Sequence, residues 1–187
     1  MKKTKIAFNS PAILLFVFLC LFAMLLNMMT AGATNKMVFL TYRSSLINPL
    51  TYVRLFTHVL GHANWTHFIG NMSYILLLGP ILEEKYGFAR IVEVIAVTAV
   101  ITGLFNAIFF PGVALCGASG VVFAFILLTS FTSFKKGEIP ITFILVAIIF
   151  LGQQVHDAIF TIDNISNMSH ILGGIVGALT GYTLNQK

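Results

Sequence analysis

Two side chains that could carry nucleophilic chemistry stand at the starts of apolar runs. Ser119 lies in Gly117-Ala118-Ser119-Gly120, and His170 follows Ser169. A serine at a helix N-terminus has backbone N–H groups beside it that lack intrahelical partners, and such donors can bind a developing oxyanion. His170 is followed by Gly173, Gly177 and Gly181 at four-residue spacing. That stripe of bare backbone lets a second helix come close. If the second helix is the one Ser119 opens, His170 can reach the serine and act as its general base. Phe123, four residues after Ser119, would sit one turn deeper and brace the imidazole ring. The plainer reading is that small residues only pack helices and that His170 is interfacial. Packing and catalysis are compatible here.

A second polar group lies upstream. In His62-Ala-Asn-Trp-Thr-His67-Phe-Ile-Gly-Asn71, His67 and Asn71 are four residues apart and stack on one helix face. A lone Asn or His in a membrane helix commonly hydrogen-bonds a neighbouring helix. Two on one face, within a turn of the outer helix end, weaken that reading. His58 and His62 have the same spacing and could suggest zinc. There is no H-E-x-x-H motif and no carboxylate near these histidines in sequence. No metal and no cofactor is expected.

The elements that must position these residues are membrane helices. Of 187 residues, 58% are hydrophobic and only 9% charged, where a soluble domain would carry about 25% charged. Mean hydropathy is +0.94. A fold of this size could not hide that much apolar surface from water, so its solvent is expected to be lipid. Six apolar runs are legible: Pro11–Met29, Trp65–Leu82, Ile91–Phe110, Ser119–Phe134, Pro140–Val155 and Met168–Leu184. The fold class expected is all-α, a polytopic bundle of six transmembrane helices in a single domain over residues 1–187. The fourth run is short for ~30 Å of hydrocarbon, which suggests that Ser119 starts below the membrane surface. Pro111–Cys116 would then dip inward as a re-entrant loop, tolerated where it lines a cavity.

The basic residues set orientation. With a cytoplasmic N-terminus, Lys2, Lys3, Lys5, Lys85, Arg90, Lys135, Lys136 and Lys187 fall inside, and Lys36, Arg43 and Arg54 outside. That bias predicts both termini in the cytoplasm. So few basic residues, scattered between apolar runs, exclude a nucleic-acid partner in spite of the net charge of +5. Ala31-Gly32-Ala33 after the first run mimics a signal-peptide cleavage site. The run is longer than a signal core of 7–15 residues, so it reads as a retained span. The segment from Thr30 to Asn64 is too apolar for a linker and is expected to lie partly in the interface. Cys20 and Cys116 imply no disulfide framework.

Taken together, these residues resemble the rhomboid intramembrane serine proteases from about Thr51 to Tyr182. The matching features are Arg54-Leu55-Phe56-Thr57-His58, then His62, His67 and Asn71, Glu83 before Lys85-Tyr86-Gly87, Gly117-Ala118-Ser119-Gly120, and Ser169-His170 with Gly173 and Gly177. The resemblance implies a six-helix bundle with a Ser119–His170 dyad and no acidic third member. It implies that His67, Asn71 and the Ser119 amide form the oxyanion hole, with His62 in support. It further implies that Arg54 anchors the first external loop and that Glu83 ties helix ends on the cytoplasmic side. Asp157–Asn167 would cap the site from outside.

This sequence departs from the family's common pattern at Val53, where Trp is frequent, and at Ser169, where Ala is. Phe123 replaces a frequent Tyr, and Cys116 a frequent Gly. None of these removes a proposed catalytic group. The function expected is hydrolysis of single-span membrane proteins that arrive laterally from lipid, in a cell membrane. The competing reading is a non-catalytic rhomboid-like binder of membrane clients, which would lack the Ser–His pair. A transporter would show discontinuous helices in paired halves, which are not evident.

Overall fold

The structure, a computed structural model, describes residues 7–132, 134, 138–160 and 164–185. Lys2, Lys3, Lys5, Lys135, Lys136, Lys187, Ile162 and the side chain of Asp157 lie outside the described residues. Among the described residues the regular elements are helical: α1 Pro11–Met29, a π-helical turn Asn35–Phe39, α2 Pro49–Thr57, α3 Trp65–Tyr86, α4 Phe88–Phe109, α5 Ser119–Thr129, α6 Ile141–Phe160 and α7 Asn164–Asn185. An antiparallel bridge joins Thr41 to Leu115.

Helix α5 is the axis of the bundle. Gly120, Val121, Val122, Ala124, Phe125, Ile126, Leu127 and Leu128 are all buried. An apolar helix with no polar face is satisfied only if other helices surround it. The outer helices invert the soluble pattern. Leu15, Phe18 and Phe22 of α1, and Ile144, Leu145, Ile148 and Ile149 of α6, are exposed. Apolar surface on that scale needs a lipid solvent. Among the described residues two helices, α1 and α4, are long and apolar enough to cross a membrane by length and composition.

The far end of α3 locks its neighbours through charge. Glu83, 6% exposed, accepts the amides of Ala12 at 3.0 Å and Ile13 at 3.1 Å. These belong to the orphan donors of the first turn of α1, where the helix dipole favours a negative group. Lys85 does the converse. Its Nζ donates to the carbonyl oxygens of Phe131, at 3.1 Å, and Thr132 in the turn that follows α5. That turn ends α5 at Thr129, short of the apolar run that continues to Phe134. Eleven residues rise about 16 Å, half the hydrocarbon thickness.

Other boundaries also move from the sequence expectation. Helix α3 continues through its charged end to Tyr86, α6 continues past Val155 to Phe160, and α7 begins at Asn164 rather than Met168. His156 is therefore inside α6, its ring 4.7 Å from that of Phe160. His170 is inside α7 rather than at its start.

The segment between α1 and α3 folds back on the bundle. Asn48 caps α2 by accepting the Leu50 amide at 3.0 Å, and Pro49 pre-sets the first turn. Arg54, buried, donates from Nε to the Met37 carbonyl at 2.9 Å and lies 4.6 Å over the Tyr42 ring. The loop before α5 is pinned in turn. Thr41 and Leu115 exchange two backbone hydrogen bonds of 3.0 and 2.9 Å, and Asn106 donates to the Val113 carbonyl at 3.0 Å.

Candidate active site

Helices α5 and α7 meet backbone to backbone. A Cβ on Gly173 would lie 2.0 Å from the Gly120 carbonyl oxygen, and one on Gly177 would lie 2.0 Å from that of Ala124. Only glycine permits this approach. On the other side of the contact, a Cβ on Gly120 would be 3.4 Å from the carbonyl oxygen of Ser169. The residues adjoining Ser119 and His170 in sequence are thus in contact across the two helices.

The imidazole of His170 meets α5 at Phe123, four residues after Ser119. Its ring stacks on Phe123, with 4.3 Å between centroids and 4° between planes. The Nδ1 atom of His170 is 2.6 Å from Oε1 of Gln154 on α6. Gln154 is buried. Ser119 opens α5 and is half-buried, between the buried Ala118 and Gly120.

Helix α3 meets the loop just before Ser119. Asn64 caps it, accepting the His67 amide at 2.9 Å, which sets His67 in the first turn and Asn71 one turn later. Both side chains converge on Gly117. A Cβ there would meet Cε1 of His67 at 2.6 Å, its Nε2 at 2.7 Å, and Nδ2 of Asn71 at 3.8 Å. Gly117 has φ +127, a conformation open to glycine and strained for other residues. Its amide donates to the His58 carbonyl at 2.9 Å. Asn71 Nδ2 is buried and, among the described residues, has no hydrogen-bond partner, an arrangement that is costly unless a ligand or water uses the donor.

His62 backs this cluster. It is buried, its ring centroid 5.1 Å from that of His67 and 5.4 Å from that of Phe68. Its carbonyl accepts from Asn35 Nδ2 at 3.1 Å. His58 turns elsewhere, its Nε2 3.2 Å from the Thr102 hydroxyl. Burial pushes His58 and His62 down to about 4, and for His62 the nearby His67 acts in the same direction. Cys116 sits three residues before the serine, and burial pushes its thiol up to about 11, so it stays protonated.

The rhomboid domain model matches residues 49–187. The chain belongs to the rhomboid family. Rhomboid proteins are integral membrane proteins, in keeping with the apolar α1 and α4. The chain is 25% identical over 132 residues to the rhomboid protease GlpG of Haemophilus influenzae, covering 69% of this chain and 68% of that protein. It is 29% identical over 146 residues to the putative rhomboid protease YdcA of Bacillus subtilis, covering 72% and 68%. With RHOMBOID-like protein 7 of Arabidopsis thaliana the identity is 26% over 137 residues, and the chain spans only 42% of that protein's length.

Sequence reasoning passed over Gln154. The signal was present: an amide inside an apolar run is expensive and normally has a partner. Its partner lies on the next helix, which no local pattern reveals.

Proposed function

We propose that this rhomboid is an intramembrane serine endopeptidase. The convergence of His67 and Asn71 on Gly117, two residues before Ser119, carries the reading. An unpartnered buried amide donor beside a nucleophile at a helix start is what an oxyanion site requires.

Ser119 Oγ attacks the scissile carbonyl while His170 Nε2 takes its proton. The resulting oxyanion receives hydrogen bonds from Asn71 Nδ2, His67 and the Ser119 amide. His170 then returns the proton to the leaving amine. Water repeats the sequence on the acyl-enzyme and frees Ser119. Phe123 holds the imidazole plane, and His62, kept neutral by burial, supports His67 from behind. Helices α1, α3, α4, α6 and α7, together with the short α5 extended by the segments at its two ends, would supply six spans. At nine residues, about 14 Å, α2 is too short to cross. Both termini would be cytoplasmic, in a cell membrane. The substrate would be a single-span protein that reaches the site laterally from lipid.

The test is labelling and cleavage by purified protein in detergent. Wild type should react with a fluorophosphonate at Ser119 and cut a single-span reporter. Ser119→Ala should do neither while unfolding at the wild-type temperature. Residual cleavage above about a tenth of wild type would exclude Ser119 as nucleophile, and an inert wild type would favour a client binder.

A further inference from the structure

The mechanism above asks His170 to present a lone pair at Nε2, yet a neutral imidazole can carry its proton on either nitrogen. What decides is the partner of the other nitrogen. In this chain that partner is Gln154, with Oε1 2.6 Å from His170 Nδ1. We propose that Gln154 is the positioning residue for His170: its carbonyl oxygen accepts Nδ1–H, fixes the proton there, and keeps Nε2 unprotonated, as a base requires. The inference rests on the protease reading and deepens it.

Three observations carry the assignment. Gln154 is 7% exposed whereas its neighbour Gln153 faces outward, and a buried amide in a membrane helix is retained where it has a polar partner. The imidazole plane is already set by the stack on Phe123 at 4°. The bond to Nδ1 ties the ring edge to α6 as well, which further restricts its rotation. Finally, three different helices, α5, α6 and α7, supply Phe123, Gln154 and His170, so the imidazole is held from two independent directions.

The proton accounting is simple. When Ser119 gives its proton to Nε2, the ring becomes an imidazolium with both nitrogens protonated. Gln154 Oε1 still accepts from Nδ1–H and stabilises the new charge as a neutral dipole. When Nε2–H passes to the leaving amine, the ring returns to the same tautomer. Gln154 gains and loses no proton. A carboxylate in the same place would keep the acceptor and add a charge, which is the role of the acid in serine-protease triads.

The experiment compares wild type with Gln154→Leu and Gln154→Glu, and records imidazole 15N spectra of wild-type protein labelled at histidine, with the His170 signals identified by their loss in His170→Asn. In wild type near pH 8, His170 should be protonated at Nδ1 and not at Nε2. Gln154→Leu should lower kcat at least about tenfold with KM little changed, short of the ~10²–10⁴ that losing the general base itself costs. Gln154→Glu should recover most of that loss. Wild type that cleaves, beside a Leu variant that cleaves equally fast, overturns the inference and leaves the protease reading standing. So does a Nε2-protonated tautomer in wild type, or a Leu variant whose lost activity matches its lost folded fraction. Wild type that neither labels nor cleaves overturns both.

Discussion

The rings of Phe123 and His170 lie nearly parallel, 4.3 Å apart at their centroids. One belongs to the buried α5 and the other to α7, so the stack fixes the proposed base relative to the helix that bears the proposed nucleophile. A tyrosine in place of Phe123 would add a hydroxyl without changing the stacking face.

Phe123→Ala should therefore reduce kcat by loosening the imidazole. Aromatic pairing is worth about 0.5–1.5 kcal/mol, so a fall of about 2–13-fold is expected, with Phe123→Tyr close to wild type. Steady-state cleavage of a single-span reporter measures it. An Ala variant at full rate would show that the stack does not position the base.

Asn71→Ala and His67→Ala separate chemistry from helix packing. If the two side chains donate to the oxyanion, loss of either should lower kcat by ~10²–10³ with KM little changed. Water can replace one donor and soften the loss. Labelling of Ser119 by a fluorophosphonate should slow in parallel, because the adduct also places an oxygen at that position. Should Asn71→Ala unfold early while its folded fraction cleaves normally, Asn71 is a packing residue.

Gly117→Ala tests the convergence point itself. The new methyl would lie 2.6 Å from the His67 ring, on a backbone with φ +127. Strain of this kind costs on the order of 1–3 kcal/mol. The expected result is a lower unfolding temperature in detergent together with loss of Ser119 labelling. Wild-type labelling would mean that His67 is not held against this backbone.

Stability should depend on pH through His58 and His62. Both are buried, with folded-state values of about 4 against an ordinary 6.5. Between 6.5 and 4 the unfolded chain binds more protons at these positions than the folded one. Stability therefore rises with pH across that window and is lost as pH falls through it. Each group contributes a slope of up to about 1.4 kcal/mol per pH unit. Thermal unfolding in detergent should shift downward over this range, and His62→Gln should flatten part of the shift. A profile level from pH 7 to 4 would contradict their burial as neutral groups.

Much of the arrangement is legible from one-dimensional pattern. The four-residue spacings of His67 with Asn71, of Ser119 with Phe123, and of Gly173 with Gly177 each define a helix face without any tertiary information. Helix ends were less visible. Hydropathy stops α3 at Leu82, but Glu83, Glu84 and Lys85 are good helix formers and the helix runs to Tyr86. Conversely, the apolar run to Phe134 suggests a longer α5, whereas the turn after Thr129 closes it. Helix α2 announced itself only by Asn48-Pro49, a cap and first-turn pair inside what reads as an apolar loop. Gln154 and Asn35 act across space, on His170 and on the His62 carbonyl, and no spacing rule finds such partners.

The contact of Gly173 and Gly177 with the α5 backbone also sets a timetable. The chain is synthesised in order, so α5 with its serine is made before α6 and α7. Until α7 docks, the proposed nucleophile has neither its base nor that base's partner. The docked contact tolerates no side chain, since the carbonyl oxygens of Gly120 and Ala124 leave no room for even a methyl group at Gly173 and Gly177. A half-made chain would be catalytically silent toward its neighbours at the insertion site, and hydrolytic competence would arrive together with completion of the fold.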